Sequence, residues 1–149
     1  MAARRWRVFL DTSALIAGLI SQTGAAREVL RLCEAGVIET LVSKQVLTEA
    51  DRNLSEKLPG LAADYRRLIQ SIAPTLLDDP TREEISRVAG LIHSNDAPIL
   101  AAAIAAEADY LVSWNTKHFH QPKVRQAVRF QIVTPGELLV AFRNSLPEG

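Results

Sequence analysis

The sequence predicts an α/β fold: a three-layer α/β/α sandwich on a central, mostly parallel sheet of four to five strands. Short apolar runs rich in branched residues recur along the chain. The stretches between them switch to helical spacing, and proline or glycine falls where the pattern changes. Such alternation implies strands buried on both faces by helices. With 149 residues and no repeat or linker, the chain reads as a single domain over 1–149.

The first strand is Trp6-Arg7-Val8-Phe9-Leu10, stopped by Asp11. Ile38 to Val42 and Tyr110 to Ser113 have the length and branching of buried strands. Phe130 to Val133 is another, closed by Thr134-Pro135-Gly136, and Pro74 to Leu77 is a candidate fifth. Helical stripes fall at Val29, Leu32, Cys33 and Val37; at Leu61, Tyr65, Leu68, Ile69 and Ile72; and at Ile85, Val88, Ala89 and Ile92. The second stripe is also a candidate contact surface for a second copy. Thr81 and Glu84 have the spacing of a capping box. Pro98 suits the first turn of an alanine-rich helix running to Ala106, which should be deeply packed.

Composition excludes several classes. Apolar residues make up 48% and charged residues 23%, which rules out a disordered module. No apolar run is long enough for a membrane helix, and residues 1–5 lead into Trp6-Arg7 rather than the apolar core of a secretory signal. One cysteine, Cys33, reads as a core thiol in a reducing cytoplasm. Seventeen basic residues balance seventeen acidic ones, so bulk charge does not hold nucleic acid, though a local basic rim remains open.

Ligands of open parallel sheets sit beyond the carboxyl ends of the strands. Asp11 and Ser113-Trp114-Asn115 end two strands, Asp96 starts the Pro98 helix, and Glu49 lies about two turns into the helix after Val42. Crowded carboxylates call for a cation, and hard oxygen ligands favour Mg²⁺ or Mn²⁺ over zinc. Each acid has a simpler reading: Asp11 and Asp96 as helix caps, Glu49 as a solvated helix residue, Asn115 as a turn former. Val46, Ala50, Leu54 and Leu58 form the buried arc of their helix, flanked by both Glu49 and Asp51, so helical geometry does not choose between those acids.

Taken together, five segments resemble the PIN-domain family of metal-dependent ribonucleases, especially the PIN proteins of bacterial toxin–antitoxin pairs. They are residues 8–15 (VFLDTSAL), 41–49 (LVSKQVLTE), 95–103 (NDAPILAAA), 108–119 (ADYLVSWNTKHF) and 132–138 (IVTPGEL). The resemblance implies a PIN-like sandwich in which Asp11, Glu49 and Asp96 are the three acids of the site. Ser113 then takes the family's hydroxyl position, supported by Ser13, and Asn115 stands where many members carry a fourth acid. Asn95 likewise replaces an acid found in some relatives. Mg²⁺ or Mn²⁺ held by Asp11 and Asp96, with Glu49 through water, would activate water and polarise an RNA phosphodiester, leaving a 5′-phosphate. The implied protein is a cytoplasmic endoribonuclease, the toxin of a toxin–antitoxin pair, with a cognate antitoxin and a homodimeric state. Asn115 favours an alternative, a catalytically weakened PIN-like module that binds RNA or protein. A phosphotransferase built on a strand-end aspartate needs a second acid where this chain has Ser13.

Lys117, Lys123, Arg125 and Arg129 after the site, with Arg4, Arg5 and Arg7 before it, form a candidate RNA-binding rim or a solvated face. Trp114 is read as a packing residue, with base stacking as the alternative. His118 and His120 form an H-x-H pair, but the resemblance places His118 in a packing turn with Phe119; His93 is read as structural.

Overall fold

The computed structural model describes residues 4–147. Its five strands are β1 (Arg7–Leu10), β2 (Glu39–Ser43), β3 (Thr75–Leu77), β4 (Tyr110–Val112) and β5 (Gln131–Val133). They form one sheet in the order β3-β2-β1-β4-β5, parallel throughout. Two helices, α1 (Thr12–Ile20) and α2 (Ala25–Glu34), join β1 to β2. After β2 come α3 (Lys44–Lys57) and α4 (Ala62–Ile72), separated by a single 3₁₀ turn at Pro59–Leu61. Then α5 (Arg82–Ser86) and α6 (Ala97–Ala105) connect β3 to β4, α7 (Pro122–Ala127) leads to β5, and α8 (Pro135–Ser145) follows it. Among the described residues no helix is long and apolar enough to cross a membrane.

The central strands are the most buried. Val8, Phe9, Leu10, Leu41, Val42, Leu111 and Val112 have no exposed surface, as expected where helices cover both faces of a parallel sheet. The alanine-rich α6 is buried on nearly every side, and both expected breaks, at Pro59-Gly60 and at Ala73-Pro74, are present. Ala73 ends α4 in the left-handed region, and Thr81 and Glu84 form the capping box.

Four expectations are corrected. Of the Ile85–Ile92 stripe only Ile85 is helical, in α5; Gly90 turns at φ +87°, Val88 reaches the core from a turn and Ile92 from an isolated bridge to Ala89. Val37 is exposed because α2 ends at Glu34 and Gly36 reverses the chain at φ +73°; Leu30 fills the core instead. Leu58 lies just beyond α3, outside its buried arc, with 37% of its surface exposed. The Leu61–Ile72 stripe faces mostly inward: Tyr65, Leu68 and Ile72 are core residues, and only Leu61 and Ile69 keep part of their surface.

The packing of α1 on α2 depends on Gly18. A Cβ there would lie 2.4 Å from Leu30 Cδ1 and 2.9 Å from the Ala26 carbonyl oxygen. Backbone cannot yield as a flexible side chain can, so Gly18→Ala should destabilise the chain by about 1–3 kcal/mol. Gly60, with nothing within 4 Å of a built Cβ, is the control. Urea denaturation should show a lower midpoint for Gly18→Ala and no comparable loss for Gly60→Ala.

Candidate active site

Strand connections leave β1 in one direction and β4 in the other, so the cleft between their carboxyl ends is the topological switch point of the sheet. A cavity of about 590 Å³ opens there. Asp11, Glu49, Asp96, Asn115, Thr12, Ser13, Asn53 and Trp114 line it, with Ile16, Ala17 and Ile20 along one wall. No lysine, arginine or histidine lines it.

Asp11 is 4% exposed and sits where β1 passes into α1; its own N–H donates to the Val112 carbonyl of β4 at 3.1 Å. Oδ1 accepts from the Thr12 N–H at 2.7 Å, which caps α1. Oδ2 accepts from the Ser113 hydroxyl at 2.7 Å and the Ser13 hydroxyl at 3.2 Å. Those two hydroxyls are oriented by the turn after β4: Asn115 N–H donates to Ser113 Oγ and Trp114 N–H to Ser13 Oγ. Burial pushes the Asp11 pKa above the ordinary carboxylate value. The hydroxyl and backbone donors oppose that rise, while the nearby Asp96 carboxylate adds to it.

Glu49 is half-buried on α3. Its Oε2 accepts from the Thr12 hydroxyl at 3.0 Å, and its Oε1 from Gln45 Nε2 at 2.9 Å. Gln45 also donates to the Asn95 carbonyl, tying α3 to the segment before α6. Asp51 is exposed and off the cavity; its charge acts on Tyr65, whose hydroxyl burial and Asp51 together push up to about 12. The tertiary structure thus separates two acids that helical spacing leaves equivalent.

Asp96 occupies the N-cap position of α6 but makes no cap hydrogen bond. Its Oδ2 lies 2.6 Å from His118 Nδ1, which donates to it, and the His118 ring stacks on His93 with centroids 5.0 Å apart. Asn115 Oδ1 accepts from the His118 N–H at 3.1 Å, so the carboxamide orders the turn that delivers this histidine. His118 is therefore more than a packing residue, and His93 has a partner.

The H-x-H pair does not converge. His120 Nδ1 accepts from Arg125, so its Nε2–H donates to the Ser113 carbonyl at 2.8 Å. Arg125 also donates to the Ile132 carbonyl, which makes it a brace between β5 and the turn after β4. Lys117 and Lys123 are exposed and line none of the cavities at the acids. Arg4, Arg5 and Arg7 lie at the opposite edge of the sheet, the amino end of β1, with Arg4 paired to Asp109 and Arg7 to Glu39. Arg129 lies at that same edge, beside Arg4 and Trp6. Trp114 is 46% exposed at the cavity rim and is not a core residue.

A family model described as PIN domain matches residues 7–117. The chain belongs to the PIN-domain family. PIN domains are generally nucleases, and those nucleases typically use divalent metals. Two solved structures share the PIN fold seen here. One is PAE2754 from Pyrobaculum aerophilum, 20% identical, with a TM-score of 0.63 over 94% of this chain and 91% of that one. The other is VapBC2 from Rickettsia felis, solved bound to a DNA fragment from their promoter; it is 19% identical, with a TM-score of 0.60 over 85% of this chain and 96% of that one. Among curated proteins there is no match to the sequence.

The donor set of this PIN domain suits a hard divalent cation. Three carboxylates line one cavity that no cationic side chain lines, and none of its lining residues is histidine or cysteine. Among the described residues, no three acidic, histidine or cysteine side chains close tightly enough to hold an ion between them alone. Hard divalent cations of this kind take one or two carboxylates and complete their shell with water and substrate phosphate.

The signal for Gln45 as a support of Glu49 is local, one helical turn before it, whereas the Thr12 support spans 37 positions. No local pattern announces the His118 pairing with Asp96, which spans 22 positions.

Because burial raises the Asp11 pKa, the fold favours the protonated carboxyl. The stability this gives is present below the ordinary carboxylate pKa and is lost as pH rises through the raised value. In EDTA at neutral pH the ionised group is a net cost. Asp11→Asn should therefore melt higher than the parent by roughly 3 °C, on the order of 1 kcal/mol. The gap should close as the buffer is acidified. Calorimetry across pH checks both, and a lower midpoint for Asp11→Asn at neutral pH contradicts the account.

Proposed function

We propose that the chain is a metal-dependent endoribonuclease that hydrolyses RNA phosphodiester bonds, and that it is the toxin of a toxin–antitoxin pair. The observation that carries this reading is the convergence of Asp11, Glu49 and Asp96 from three distant segments on one cation-free cavity of a PIN domain. Asp11 and Asp96 would hold Mg²⁺ or Mn²⁺, with Glu49 acting through water. Such an ion supplies Lewis-acid polarisation of the phosphodiester and acidifies water.

The chain's own groups prepare the site. Ser13 and Ser113 aim protons at Asp11 Oδ2, and Thr12 holds Oδ1, so this carboxylate keeps one rotamer and stays ionised when a cation offsets its burial. Thr12 and Gln45 fix Glu49 within reach of water entering the cavity. His118 holds one oxygen of Asp96 and leaves the other for the site. The half-exposed Trp114 offers a face for a base.

Asp11→Asn and Asp96→Asn should each abolish cleavage of single-stranded RNA while leaving the circular dichroism spectrum unchanged, and EDTA should silence the parent. RNA cut equally well in excess EDTA would overturn the reading.

The second reading, a weakened module that binds RNA or protein, is favoured by Asn115, whose carbonyl oxygen is spent on the His118 N–H. An aspartate there can keep that bond and turn a charged oxygen toward the cavity. Asn115→Asp should then lower the Mg²⁺ concentration giving half-maximal cleavage, and Mn²⁺ should support the parent better than Mg²⁺ does. Unchanged half-maximal concentrations would remove Asn115 from the metal site.

The partner reading is an antitoxin protein bound to a homodimer in the cytoplasm, with 1–149 acting as one PIN-like domain. It draws support from the fold shared with VapBC2. Light scattering of the chain alone and with the products of adjoining genes tests it.

A further inference from the structure

Beyond Glu49 the acid-lined cavity continues. A cavity of about 500 Å³ shares Glu49 and Asn53 with it, and another of about 420 Å³ shares Gln45, Glu49, Arg52 and Pro98 with the second. Their shared residues set the three side by side along the outer face of α3. Helical spacing sets two rows on that face: Gln45, Glu49 and Asn53, and beside them Lys44, Thr48 and Arg52.

Lys44 and Arg52 are exposed, and neither has an ion pair or hydrogen-bonded side-chain partner among the described residues. Arg52 lies three residues from Glu49 and does not pair with it; the Glu49 oxygens accept from Thr12 and Gln45. Asp79 lines the same cavity as Arg52 without pairing to it. A guanidinium and an ammonium are thereby left open to an incoming anion. In the cavity at the opposite end, Ile20 is 55% and Trp114 46% exposed. The cavities thus run from Trp114, Ile20 and the three acids in the first to Lys44 and Arg52, with Asp79 beside them, in the last.

That order matches one extended nucleic-acid strand, and we propose that single-stranded RNA lies along them. Bases stack on Trp114 and Ile20, the reacting phosphodiester meets the acids, and the following phosphates rest on Lys44 and Arg52. The proposal rests on the nuclease reading for its choice of RNA. It moves the backbone contacts from the Lys117–Lys123 segment to α3.

Binding of a labelled single-stranded oligoribonucleotide, measured by anisotropy in EDTA over a KCl series, tests this without cleavage. Each phosphate contact on a single strand contributes roughly 0.7 to the slope of log K against log salt. Lys44→Ala/Arg52→Ala should weaken binding about tenfold at low salt and flatten the slope by about 1.4. Lys117→Ala/Lys123→Ala should keep the parent slope. Trp114→Ala should weaken binding with the slope unchanged, since stacking releases no counterions. An unchanged slope in the α3 variant, an equal change in the Lys117/Lys123 variant, or no RNA binding at low salt overturns the proposal. Binding through α3 without cleavage on adding Mg²⁺ would overturn the nuclease reading alone. Cleavage with an unaltered slope would overturn this RNA path alone.

Discussion

Asp11 is a carboxylate buried at the end of the central strand, and much of the architecture exists to hold it there. Burial alone would drive it to the neutral acid. Three donors resist that: the first N–H of α1 and the hydroxyls of Ser13 and Ser113. Each serine also accepts a backbone N–H from the turn after β4, which leaves its proton for Asp11, and the two hydroxyls lie 3.3 Å from one another. The β1–β4 pairing sets this register, with Leu10 opposite Val112, and brings Ser113 beside Asp11 across 102 residues. His120 and Arg125 then secure the Ser113 carbonyl from the β5 side. The charge is thus supported from both sides of the switch point.

The other two acids are treated differently. Glu49 is spanned by Thr12 and Gln45, which couple it to α1 and to the segment before α6. Arg52, three residues on, does not pair with Glu49, so the carboxylate and the guanidinium line the α3 cavities without neutralising each other. An Arg52–Glu49 contact would be a surface ion pair of little stabilising value, so leaving it unmade costs the fold little.

Much of this was legible in the sequence, for a physical reason. Parallel strands buried on both faces must be nearly continuous apolar runs, so the central strands appear as such, while the largely exposed edge strand β3 is the weakest signal, and breakers mark the helix ends. Asp11, Asp96, Ser113 and Asn115 stand at strand and helix ends, whereas Glu49 lies inside α3 and is distinguished from Asp51 in the sequence only by the resemblance to PIN domains. The residues that sequence places poorly are those governed by direction rather than position. Arg4, Arg5 and Arg7 precede Asp11 by a few residues, but a strand rising about 3.3 Å per residue carries them to the opposite edge of the sheet. Glu49 and Asp51 are two residues apart, and only the packing of α4 assigns Asp51 to Tyr65. Periodicity also overran its helices at Val37, Leu58 and Ile92, because an apolar residue in a turn can reach the core, or miss it, without helical geometry.

Asp96 shows how local sequence can release a functional group from a structural task. An aspartate at an N-cap ordinarily spends an oxygen on the N–H of the second or third helical residue. Here the second residue is Pro98, which has no N–H to offer, and its ring already favours the helical φ. Asp96 itself adopts φ −96° and ψ −14°, unlike the extended N-cap of α1, where Asp11 does cap. The α6 start therefore asks little of the Asp96 side chain, which turns to His118 instead. One of the two acids assigned to the cation doubles as a helix cap, and the other is freed from that duty by a proline two residues on.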